Sequence, residues 1–258
     1  MISRLNPKQL EIIKSLGIFK FLTYDQLIVL GIDKHIPNLS NLISQLIQIN
    51  FVCKIPQRIG NKAKFYLTKK GADYLLETHE MQAHYPIAKI TTDTQDTKHR
   101  TALIDLHIAF SRFDLVFFDR YFDKTGNARE GSLNSKTAIK TSKGIVKPDA
   151  IFMIQTSKQK ELYVLELEMG KDKKKSYEKI IAHSTALKEK QLNRQLEFNS
   201  GYRVLLVFEN ENIMHSTLEL VQDHALKEYF LSKSLEMDSD PFYGWINLVK
   251  EPRQLYYA

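Results

Sequence analysis

The sequence predicts an α/β chain in two parts: a helical module closed by a basic hairpin, then a larger domain whose mixed sheet is flanked by helices. Charge placement is the first observation behind this. Residues 1–70 hold 11 Lys or Arg against Glu11, Asp25 and Asp33, a net +8, while the remaining 188 residues hold 26 basic and 27 acidic groups. The order of apolar periodicities is the second, because strands alternating with helices indicate a sheet covered by helices. The third is a set of carboxylates inside the most apolar strands.

Element by element, Asn6-Pro7 reads as a helix start, since an Asn side chain caps free amides and proline suits the first helical position. Leu10, Ile13 and Leu16 follow at helical spacing, and Gly17 is expected to end the run. Thr23 caps a short second helix through Leu27, Ile28 and Leu30. A third from Pro37 puts Leu39, Leu42, Ile43, Leu46 and Ile47 on one face. FVCKIPQRIGNKAKFYLTKKG then reads as two strands around a polar turn, with a helix from Thr68.

Three helices and a hairpin is the order of a winged helix-turn-helix, whose third helix enters the major groove while the hairpin reaches the flanking backbone. Arg58, Lys62, Lys64, Lys69 and Lys70 suit phosphate contacts, and Asn41, Ser44, Gln45 and Gln48 offer a polar face able to read base edges. The competing reading is a solvated turn on a protein-binding module. Domain limits are expected at residues 1–80, with a linker over 81–97 and a second domain over 98–258.

In that second domain the pattern predicts a helix from Asp96 or Thr97, strands at DLVFFDRYF, Val146–Gln155 and ELYVLELEM, a charged helix from Asp172 to Phe198, a strand at YRVLLVF and a helix over 212–231. Glu166 and Glu168 stand two apart on one strand, so they share a face about 7 Å from each other. A short connection lets Asp149 join them. Such carboxylates repel unless protonated, ion-paired or neutralised by a metal, and oxygen ligands suit Mg²⁺ or Mn²⁺. The plainer alternative has Glu166 and Glu168 at the solvated end of an edge strand, paired with Lys171 and Lys173.

Pro148-Asp149 followed by Glu166-x-Glu168 in this element order resembles the core of the PD-(D/E)XK nuclease superfamily. FYLTKKG, HRTALIDLHIAF, KPDAIFMI and YVLELEMGKD together resemble the replication-relaxation family and the related MobC-type plasmid mobilisation relaxases. That resemblance implies a winged helix joined to a nuclease-like domain. It also implies Asp149 and Glu166 as metal ligands, Glu168 where other nucleases carry lysine, and His99 and Asp105 as polar positions of the preceding helix. Lys171 or Lys179 would supply the missing charge, and His183 stands where the family has an aromatic residue. The implied activity is metal-assisted nicking of double-stranded DNA at a plasmid origin or transfer region, alongside other relaxosome or replication proteins. A non-catalytic DNA-binding regulator or accessory factor on the same fold is the alternative, and a protein-binding adaptor a third.

The single cysteine, Cys53, excludes a disulfide framework and fits a reducing cytoplasm. No apolar run approaches the roughly 20 residues that span a bilayer, and the charged start is unlike an export signal. No two histidines are separated by one residue, so a paired-histidine nicking site is not visible. Tyr163, Tyr177, Tyr256 and Tyr257 remain as candidate nucleophiles.

Overall fold

The computed structural model describes residues 5–56, 62–83, 85–86, 95–121, 137–170, 172–221, 225–236, 244–247 and 252–253. The chain divides into two compact units, Met1–Ile108 and Ala109–Ala258.

In the first unit, α1 (Pro7–Phe19) opens on a reciprocal cap: Asn6 Oδ1 accepts the Gln9 amide, and Gln9 Oε1 accepts the Asn6 amide. The helix continues through Gly17, contrary to the expected stop. Gly17 is there for space, since a Cβ at that position would lie 2.7 Å from Ala83 Cβ. Thr23 and Gln26 cap α2 (Tyr24–Val29) in the same reciprocal way. Helix α3 (Ile36–Gln48) buries Leu39, Ile43 and Leu46, each contributing about 1.5–3 kcal/mol by leaving water.

Strands β1 (Phe21–Thr23), β2 (Val52–Ile55) and β3 (Lys64–Leu67) form an antiparallel sheet in the order β1-β3-β2. The short β1 escapes sequence reading because its three residues are too few to show a period. Thr68 caps α4 (Lys69–His79). Helix α5 (Gln95–Phe110) closes the unit as far as Ile108.

The second unit is built on an open mixed sheet. Its described strands are β4 (Leu115–Arg120), β7 (Ala150–Gln155), β8 (Lys160–Glu168), β9 (Tyr202–Phe208), β10 (Phe230–Ser234), β11 (Trp245–Asn247) and β12 (Pro252–Arg253), in the order β12-β11-β10-β9-β8-β7-β4. Strand β8 pairs antiparallel with β7 and parallel with β9, and β9 pairs parallel with β10. A separate hairpin, β5 (Ile139–Thr141) and β6 (Gly144–Val146), precedes β7. Helix α6 (Lys173–Lys188) is capped by Asp172, whose side chain accepts the Lys174 and Lys175 amides.

The helix expected to reach Phe198 ends at Lys188. Lys190 adopts a left-handed conformation, φ 50°, and a short α7 (Gln191–Gln195) follows. Helix α8 is only Glu211–Leu218; of the rest of the segment expected to be helical, 222–224 lie outside the described residues, Lys227–Tyr229 form a single 3₁₀ turn, and Phe230 and Leu231 open β10. The core between sheet and helices contains Leu162, Val164, Ile180, Val204, Leu206 and Phe208. On the opposite face Phe118, Phe152 and Tyr163 stack, with centroids 5.0 Å apart for Phe118–Phe152 and 5.2 Å for Phe152–Tyr163, and Phe110 packs on Phe152 at a tilt, centroids 4.6 Å apart.

Candidate functional site

Strand alternation sends Leu162, Val164, Glu166 and Glu168 to the face that packs on α6. Because β8 lies between β7 and β9, it is not an edge. Glu166 and Glu168 are only 2% and 7% exposed, so the solvated-end arrangement does not hold. Their partners come from α6 at helical spacing. Lys179 Nζ donates to Glu166 Oε2 at 2.8 Å and to Glu168 Oε1 at 2.6 Å. Ser176 Oγ donates to Glu168 Oε2 at 2.8 Å. His183 Nε2 lies 2.7 Å from Glu166 Oε1, and since an ionised carboxylate only accepts, that nitrogen carries the proton.

Four carboxylate oxygens thus meet four donor contacts from one helical stripe. Two residues along a strand span about 7 Å, close to the 5–6 Å between helix positions three or four apart, so the two elements match. Lys179 and His183 are both singled out in the sequence and lie one turn apart; Ser176, which the same helical spacing picks out one turn earlier, is not. Lys173 is exposed at the start of α6, and Lys171 lies outside the described residues.

Asp149 sits just before β7, and its Oδ2 accepts the Leu167 amide at 2.8 Å. Burial alone would lower the Lys179 ammonium pKa. The fields of Glu166, Glu168 and Asp149, with the hydrogen bond to Glu166, outweigh burial and hold it above the ordinary lysine value. Asp149, Glu166, Glu168 and Lys179 therefore form one electrostatic group.

The metal expectation meets an obstacle at this point. Among the described residues no three His, Cys, Asp or Glu side chains are arranged to enclose an ion. The gap between Glu166 and Glu168 is filled by the Lys179 ammonium. As arranged, these residues do not fit a resident divalent cation.

His99 and Asp105 belong to the first unit, on α5. Gln26 Nε2 donates to Asp105 Oδ1 at 2.7 Å. Burial of the Asp105 carboxyl raises its pKa, opposed by that hydrogen bond and by Lys62, even though part of the residue is solvent-exposed. Tyr163 is 2% exposed, with its ring stacked on Phe152 and its hydroxyl on Glu161, which makes it a packing residue. Tyr177 is exposed on α6, while Tyr256 and Tyr257 lie outside the described residues.

The polar face of α3 is exposed at Asn41, Ser44, Gln45 and Gln48. Gln45 is tied in place, accepting from Gln9 Nε2 at 2.8 Å and donating to Asn41 Oδ1 at 3.3 Å. The basic residues separate into different roles. Lys62 is exposed and pairs with Asp25 at 2.6 Å, which raises its pKa. Lys69 is exposed. Lys70 donates to the Ile49 carbonyl just beyond α3, at 2.9 Å, and lies over the Phe51 ring. Lys64 is 7% exposed within β3, the central strand of its sheet, whose four residues are all buried, so it is not a surface phosphate contact. Arg58 lies outside the described residues.

No family model, curated protein or solved structure matches this chain. Among the described residues, no helix is long and apolar enough to cross a membrane.

Proposed function

We propose that the chain is a DNA-binding protein of the plasmid replication-relaxation or mobilisation type, whose first unit acts as a winged helix-turn-helix. The observation that carries this is the exposed polar face of α3, with Asn41, Ser44 and Gln48 outward, in a unit where α1, α2 and α3 precede the β2–β3 pair of a sheet ordered β1-β3-β2. Exposed Lys62 and Lys69 supply sequence-independent phosphate attraction.

For the second unit the proposed reading is a PD-(D/E)XK-like nicking domain. Its support is the convergence of Asp149, Glu166 and Glu168 with Lys179, an ammonium delivered from α6 rather than from the strand. Mg²⁺ or Mn²⁺ belongs to this reading only if Lys179 leaves the gap between the two glutamates. A second reading, a non-catalytic DNA-binding scaffold, draws support from the same contacts, since both oxygens of each glutamate already have a donor.

Gel-shift titration on plasmid-derived duplexes tests the first unit. Lys62→Glu with Lys69→Glu should weaken binding at least about tenfold and flatten its salt dependence. Unchanged affinity sinks the assignment and favours the adaptor reading. A supercoiled-plasmid assay with Mg²⁺ or Mn²⁺ tests the second unit. Nicking that disappears in Glu166→Gln supports the cleaving domain, and binding without nicking across metals and candidate origins supports the scaffold.

A further inference from the structure

We propose that Lys179 is the resident cation of the acidic cluster, an internal ammonium that fills the gap between Glu166 and Glu168 and keeps divalent ions out of it. This concerns the cluster in the DNA-free chain, where Lys179 occupies the gap.

The geometry is that of an occupied cation position. Lys179 Nζ touches one oxygen of each glutamate, at 2.8 and 2.6 Å, while His183 and Ser176 hold the other two. A Mg²⁺ or Mn²⁺ ion bridging the same two carboxylates needs oxygens at about 2.1 Å, so it and Nζ cannot share the gap. The ammonium also has the advantage of being tethered. It is carried on a helix anchored in the core through Ile180, so it competes as an intramolecular group at high effective concentration.

The charge count says what removal of Lys179 would do. Three carboxylates, Asp149, Glu166 and Glu168, face a single ammonium. Without it, two buried glutamates on one strand face are left repelling each other, and an external cation becomes the remaining means of neutralising them. Lys179 therefore sets the divalent affinity of the chain by exclusion.

The test is Mn²⁺ binding to the full chain without DNA, followed by the electron paramagnetic resonance of free Mn²⁺. Lys179→Gln removes the charge while keeping N–H donors for both carboxylates. It should bind one Mn²⁺ at least about tenfold more tightly than the wild type, and adding Glu166→Gln should abolish that gain. Equal affinity in wild type and Lys179→Gln, including no binding in either, overturns the proposal. A second measurement needs no variant. Amine acylation of the wild type, read by mass spectrometry, should modify Lys179 at least about tenfold more slowly than exposed Lys173, Lys174 and Lys175, with no acceleration by Mn²⁺. Lys179 acylated as fast as those three, or exposed to acylation by Mn²⁺, also overturns it.

Discussion

The carboxylate of Asp149 accepts the backbone amide of Leu167 at 2.8 Å, one step past the point where the β7–β8 ladder begins with Ala150 opposite Leu165. An acid expected only as a metal ligand thus also extends strand pairing. Asp149→Ala leaves that amide without its side-chain acceptor and should cost about 1–3 kcal/mol in urea unfolding. Asp149→Asn keeps an acceptor oxygen and should cost clearly less. Equal losses in the two variants would argue against the hydrogen bond as the cause.

Lys179 gives a pH signature. Its folded pKa lies above the unfolded value, so its stabilisation is complete below about pH 10 and declines as pH rises through the folded pKa. Lys179→Met should lose about 3 kcal/mol, the low end for a broken buried pair, because the side chain is 32% exposed. The stability difference between wild type and variant should stay level from about pH 7 to 10 and narrow above that. Denaturant curves across this range check it, and a difference that grows with pH contradicts the assignment.

Gly71 lies against backbone. A Cβ there would stand 2.5 Å from the Phe51 carbonyl oxygen and 2.8 Å from Leu67 Cδ1. Alanine is the better helix former by about 1 kcal/mol, yet Gly71→Ala should destabilise by about 1–3 kcal/mol because a carbonyl cannot move aside as a side chain can. Thermal melting decides the sign.

Acid sensitivity should appear at Asp33. The Lys8 hydrogen bond, then the His35 amide and Asn38, hold its pKa down to about 2. A depressed carboxylate pKa stabilises the fold above the unfolded value of about 3.9 and loses that contribution as pH falls toward 2. Lys8→Met should flatten the stability profile between these values, as followed by circular dichroism. A profile identical to the wild type excludes the pair as the source.

If Lys62 contacts phosphate, Asp25 competes for it. The pair is exposed on both sides, 73% and 51%, so its loss should change stability by less than about 1 kcal/mol. Asp25→Asn should nevertheless strengthen duplex binding about two- to fivefold at low salt, an advantage that fades as salt screens the contact. Weaker binding in Asp25→Asn contradicts the competition.

What could be read from the sequence follows from how local each signal is. Asn6, Thr23 and Thr68 announce helix starts because capping involves residues two or three apart. Glu166 and Glu168 were legible as a same-face pair because strand alternation is strict. Their partners were less so, since pairing a strand with a helix eight or more residues later depends on packing. Strand β10 was hidden by its composition. Ser232, Lys233 and Ser234 are polar residues that the sheet buries, and no hydrophobic alternation marks them. The end of α6 was hidden too, because Lys190 takes a left-handed turn without glycine or proline. The single tryptophan, Trp245, is buried in β11.

That tryptophan makes the chain its own optical reporter. Trp245 is 1% exposed on a strand that pairs with β10, far in sequence from the acidic cluster on β8. No other indole contributes, so the emission maximum records solvent reaching this side of the sheet and nothing else. A red shift that precedes the loss of helical dichroism would show the carboxy-terminal strands peeling away first, and coincident transitions would show the sheet coming apart as one body.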